Sequence, residues 1–169
     1  MSFENILEKA TKDIEQFGWS TMYVDANRER GMESFSHTIG FEKTYGHPEV
    51  IVFGLPAESA HNILSAIAHA IKEGESMPLH TPVQNILSGD FKVLFKPFVT
   101  DAYHDYLNVA VSSYGTPEFR TQIMFWPDKD GFFPTDDSYS IQGQLTALKL
   151  ISASEVFDVS ALGAPKKLH

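Results

Sequence analysis

The stretch FSHTIGFEKTYGHPEVIVFGLP, residues 35–56, decides the fold. Over Phe35–Phe41 a period of two places Phe35, His37, Ile39 and Phe41 on one face of a strand, and Ser36, Thr38 and Gly40 on the other. Tyr45-Gly46-His47-Pro48 supplies turn residues, and Pro48 forces His47 towards an extended backbone. Val50–Leu55 is apolar at successive positions, as a central strand covered on both sides would be. Pro56 then suits a first helical position and Gly74 a C-terminal stop. Between them Ala60, Ile63, Leu64, Ile67, Ala68 and Ile71 form one apolar stripe, which predicts a helix over 57–73.

Working outward, Phe3, Ile6, Leu7, Ala10, Ile14 and Phe17 recur at helical spacing, with Ser2 as N-cap and Gly18 as stop. Aromatic and β-branched residues predict a strand over Trp19–Val24, followed by a polar loop. Residues 75–90 contain two prolines and read as a loop with a short strand. Phe91, Val93 and Phe95 alternate with Lys92, Leu94 and Lys96, the pattern of a half-exposed strand ending at Pro97 or running on as an edge. A helix is predicted over 101–114, with Asp101 as cap and Gly115 as stop, then a strand over Phe119–Trp126. Asp130-Gly131 signals a tight turn. Leu145–Ile151 reads as a last strand, and the Pro-Lys-Lys tail as frayed.

At 169 residues, with 43% hydrophobic residues and 13 phenylalanines, the chain suits one domain with a sizeable core. The fold class expected is α+β: a mixed, mainly antiparallel sheet against two main helices, with a partly closed barrel as an option. The absence of cysteine excludes disulfides and thiolate metal sites and fits a reducing cytoplasm. No run approaches the ~20 apolar residues needed to cross a bilayer. A net charge of −9 with scattered basic residues argues against nucleic acid and anionic membrane. It suits solubility or a basic protein partner.

FSHTIGF, GHPEVIVFGLP, FKPFV, YLNVAVSSYG and MFWPDKDGFFP resemble, in that order, the bacterial family called domain of unknown function 4262. The resemblance covers roughly residues 19–134, leaving 141–169 as a C-terminal extension of the same single domain. It implies a compact α+β domain and no established activity. The family's usual form has a tyrosine where this chain has His37, which argues against position 37 as a shared catalytic residue.

Candidate chemistry is sparse. His47 and Glu49 could act as acid and base or ligate a metal, with Asp128 as a third member, if loops brought them together. Against that, His-Pro makes a turn and neighbouring side chains of an extended segment diverge. His37 shares its face with large apolar groups, as a neutral core histidine would. It could line a ligand cleft with Trp126 and Tyr139. His61 and His69 stand ~12 Å apart along a helix and cannot share a metal. An EF-hand register built on Gly131 puts Trp126 where a ligating Asp belongs, so no metal site is assigned, and a hairpin tip with exposed acids is the better reading of Asp128 and Asp130. Neither a nucleophile elbow nor a phosphate-binding glycine loop occurs, and no cofactor is specified; a flavin-binding split barrel rests on topology alone. The leading expectation is a cytoplasmic interaction domain for a basic protein. A small enzyme using His47, Glu49 and Asp128 is the alternative, and self-association through exposed aromatics a third.

Overall fold

The computed structural model describes residues 2–140 and 143–151; the expected frayed tail and most of the 141–169 extension lie outside them. Five strands form one open mixed sheet: β1 (Ser20–Val24), β2 (Phe35–Ile39), β3 (Glu49–Phe53), β4 (Leu94–Pro97) and β5 (Thr121–Phe125), in the order β1-β2-β3-β5-β4. Only β3 and β5 run parallel, and the other pairings are antiparallel. The sheet has two edges, so the partly closed barrel is not formed.

The helices are α1 (Phe3–Phe17), α2 (Phe41–Tyr45), α3 (Ala57–Lys72), α4 (Tyr103–Tyr106), α5 (Asn108–Tyr114) and α6 (Leu145–Lys149). The Ser2 hydroxyl accepts from Asn5 N–H at 3.2 Å to start α1, and Gly18 ends it in the left-handed region. The stripe read from the sequence makes α3, which buries Leu64, Ile67 and Ile71 against Val50, Val52 and Phe95. Each such aliphatic side chain contributes about 1.5–3 kcal/mol of transfer free energy. On the opposite face, α1, α4 and α5 pack over Phe35, Ile39, Ile51 and Phe53. β3 therefore feeds both layers, which is why Val50–Phe53 is apolar at every position and fully buried.

Four expectations need correction. β2 stops at Ile39, because Gly40 takes a φ of 111° and turns the chain into α2. Phe41 thereby leaves the face of Phe35 and joins the α3 layer. The 101–114 helix is split: a 3-10 turn at Thr100–Ala102 leads into α4, and Leu107 (φ −115°, ψ 32°) breaks α4 from α5. The edge strand starts late, at Leu94, and Lys96 is not half-exposed but 2% exposed, its ammonium donating to His80 Nδ1 at 2.9 Å. The segment read as the strand Leu145–Ile151 is α6. Glu33 drives that outcome, its carboxylate accepting from Gln144 N–H at 2.8 Å and Thr146 N–H at 3.0 Å and so capping a helical turn.

Candidate functional site

Glu49 opens β3 and is fully buried. The turn at Gly40 aims successive backbone N–H groups at one point, as the first turn of any helix does. Glu49 Oε1 accepts from Phe41 N–H at 3.1 Å and from the Thr38 hydroxyl at 2.7 Å. Oε2 accepts from Gly40 N–H at 3.2 Å, Glu42 N–H at 3.1 Å and the Tyr114 hydroxyl. A Cβ at residue 40 would stand 2.8 Å from the Gly18 carbonyl oxygen, so glycine is required there by space as well as by φ. Burial pushes the Glu49 carboxyl above its ordinary range, and the donors from Tyr114, Thr38, Glu42 and Phe41 pull against that shift. Burial and the adjoining Glu49 charge push the Tyr114 hydroxyl up in turn.

His47 points elsewhere. Its Nδ1–H donates to the Pro48 carbonyl at 2.8 Å, and Nε2 accepts from Met77 N–H at 3.1 Å. Both ring nitrogens thus tie the β3 entrance to the segment after α3. Burial lowers the His47 pKa, as suits a neutral ring. Asp128 follows the C-terminal end of β5, the parallel neighbour of β3, so it lies at the opposite end of the sheet from Glu49. It is 2% exposed rather than an exposed tip, and among the described residues no strand pairs back beyond it to make a hairpin. Oδ1 accepts from Asp130 and Phe132 N–H at 2.9 Å each, and Oδ2 from Ser140 N–H and hydroxyl at 2.9 and 3.0 Å. Burial alone would raise its pKa; these donors hold it below the usual carboxylate range. The three residues considered as an acid–base set are therefore separated, and each is engaged with its own chain.

Trp126 and Tyr139 do come together, through Gln144. The Gln144 amide donates to the Trp126 carbonyl at 2.7 Å and to the Tyr139 hydroxyl at 3.1 Å, and its carbonyl accepts from Trp126 N–H at 2.9 Å. The Trp126 indole N–H is bound to the Phe53 carbonyl at 2.8 Å. This clasp holds the residues after β5 against the sheet. His37 is not part of it: it lies mid-β2, opposite Met22 of β1, in the wall of a separate cleft of about 270 Å³.

A wider, shallow cleft of about 650 Å³ opens beside the Glu49 cluster. Its wall includes Glu42, Asp101, His104, Glu118 and Arg120. Arg120 clamps Glu42 with Nε at 2.9 Å and a terminal nitrogen at 2.5 Å, and reaches the Gly46 carbonyl at 2.7 Å. That pairing lowers the Glu42 pKa. Glu42, Tyr114 and Arg120 were not legible as a group, since 65 residues separate Tyr114 from Glu49 and 78 separate Arg120 from Glu42. Gly40 within FSHTIGF was the one available signal that the strand ended early. Among the described residues no group of three or more His, Asp or Glu side chains could hold a metal ion, and no helix is long and apolar enough to cross a membrane.

No curated protein and no solved structure matches the chain. A family model does match, the one described as Domain of unknown function (DUF4262), over residues 13–140. That span runs from the last turns of α1 through all five strands to Ser140 and so takes in Gly40, Glu49 and Asp128 alike. With well over half of its length matched, the chain belongs to the DUF4262 family.

Proposed function

We propose that this chain is a binding domain of the bacterial cytoplasm that engages and neutralises a basic protein through its acidic surface. The observation that carries the reading is the charge itself: 22 acidic against 13 basic residues, a net −9. The 650 Å³ cleft is the favoured seat, because Asp101 and Glu118 are exposed on its wall, where lysine or arginine side chains could reach them. Acidic surfaces of this kind act mainly by steering encounter and selecting partner charge. The enzyme alternative has no such support. The residues it would use, His47, Glu49 and Asp128, spend their polar atoms on backbone groups and hydroxyls of the fold.

The test is titration of a lysine- and arginine-rich peptide by fluorescence polarisation at increasing salt. Binding is expected to weaken steeply as the screening length falls to ~3 Å near 1 M. Asp101→Lys with Glu118→Lys should abolish it at 0.15 M salt without altering the circular dichroism spectrum. Absent or salt-insensitive binding overturns the reading. Zinc, manganese or flavin carried by the purified protein would replace it with the enzyme alternative.

A further inference from the structure

The His37 cleft has the make-up of a small-molecule site, and it stands apart from the acidic cleft. Met22, Met32, Phe35 and Tyr106 give it an apolar floor and walls. Phe35 is stacked with His37 at 6.3 Å and edge-on to Tyr106 at 5.4 Å. His37 is 1% exposed, and its Nδ1–H donates to the Thr38 carbonyl at 3.1 Å. That bond fixes the tautomer and leaves Nε2 with a lone pair. Nε2 has no hydrogen-bond partner among the described residues. It is also not sealed in: the one fully enclosed side-chain polar atom without a partner among them is Thr121 Oγ1. The cleft that His37 lines is the opening beside that lone pair. Burial holds the His37 pKa down at about 4, so at neutral pH the ring is uncharged and Nε2 can only accept.

An acceptor with no partner in the protein is one that a ligand donor can satisfy directly. Aromatic and thioether walls favour a flat ring, since thioether sulfur and aromatic rings attract one another. At the rim, Asp25 and Asp105 outnumber Arg30. Together with the net charge, they favour a cation over an anion at the mouth. The volume lies just under the ~300–1,000 Å³ of drug-sized sites, so the occupant is small.

We infer that this cleft binds a small aromatic amine whose ring hydroxyl or ring N–H donates to His37 Nε2, with the ring between Met22, Met32 and Phe35 and the ammonium towards Asp25 and Asp105. Ligand and acidic-cleft partner occupy different surfaces, so either reading can fail alone.

The probe is tyramine, titrated into the full chain and followed by nitrogen-15 NMR of the histidine rings and by calorimetry. Saturable binding is expected, with the His37 Nε2 resonance moving upfield as the lone pair accepts a hydrogen bond. Phenethylamine, which lacks the hydroxyl, should bind the unaltered protein about fivefold more weakly, the worth of one hydrogen bond of ~1 kcal/mol. The acid 4-hydroxyphenylacetate, which reverses the charge, should bind more weakly still. Asp25→Asn with Asp105→Asn, both exposed, should cost tyramine two- to fivefold. In His37→Phe, once its thermal midpoint shows it folded, tyramine and phenethylamine should bind alike. No saturable shift with tyramine, an unmoved Nε2 resonance, or equal affinity for tyramine and phenethylamine in the unaltered protein overturns the inference.

Discussion

Glu49 and His37 sit on adjacent strands, both facing the layer built by α1, α4 and α5, and both side chains are almost wholly buried. Their surroundings differ in one respect. Glu49 meets five donors from three backbone amides and two hydroxyls. His37 uses one nitrogen on its neighbour's carbonyl, and the other has no partner among the described residues in a ring that lines a cleft. A buried polar group that is fully satisfied organises a fold, whereas one with spare valence is available for recognition. The difference separates an architectural centre at the β3 entrance from a binding surface at mid-β2.

The largest effect that would break this contrast is at Glu49. Glu49→Leu removes the acceptor of three backbone amides, and each stranded N–H costs about 1–3 kcal/mol, so at least ~3 kcal/mol should be lost in urea unfolding. A loss under ~1 kcal/mol would mean that Glu49 organises nothing.

The next prediction concerns pH. The folded-state pKa of His37, about 4, lies below its ordinary 6.5. Between those values the unfolded chain binds the extra proton, so stability rises with pH across this window. His37 therefore contributes fully above pH 6.5 and loses its contribution as pH falls through 4. The change is on the order of 3 kcal/mol. Glu49 has the opposite sign: a raised carboxyl favours the folded state at low pH and loses that contribution as pH rises through its folded value. Urea midpoints between pH 4 and 7 should show a rising slope that becomes shallower in His37→Phe, the remainder coming from His47, whose pKa burial also lowers. A slope unchanged in that variant would assign it to groups other than His37.

Much of this architecture was legible because it rests on periodicity. The stripe Ala60–Ile71 gave α3, the unbroken run at Val50 gave a two-sided central strand, and Ser2, Gly18 and Gly115 marked real ends. What escaped depends on distant partners. Leu145–Ile151 has strand-like composition but is capped by Glu33, more than a hundred residues away. Lys96 alternates as a surface lysine would, yet is buried at the edge strand. At the candidate sites, residue types were visible and their occupancy was not. His47-Pro48-Glu49 looked like a reactive pair because a sequence cannot show that Met77 and Gly40–Glu42 already hold those atoms.

His47 sharpens the contrast at intermediate scale. His47→Ala strands Met77 N–H and should cost about 1–3 kcal/mol. If His47 is architectural, as the acceptor at Nε2 implies, His47→Asn should recover part of that loss, while peptide binding at the acidic cleft stays unchanged at temperatures where the variant is folded. A weakened peptide affinity in folded His47→Asn would instead place this histidine with His37, among the groups left for recognition.

The smallest effect is expected where Arg120 meets Glu42. Their contact is bidentate, but the Arg120 side chain is 63% exposed, and water screens such pairs to about 0–1 kcal/mol. A double-mutant cycle of Arg120→Ala with Glu42→Ala should return a coupling in that range that shrinks as salt rises. Peptide binding should respond differently. Losing Arg120 uncovers the Glu42 carboxylate on the wall of the acidic cleft, so Arg120→Ala should bind the basic peptide more tightly by a few-fold, while Glu42→Ala should weaken it. A coupling well above 1 kcal/mol, or Arg120→Ala weakening the peptide, would make the pair part of the Glu49 framework and leave Asp101 and Glu118 as the charges that recognise a partner.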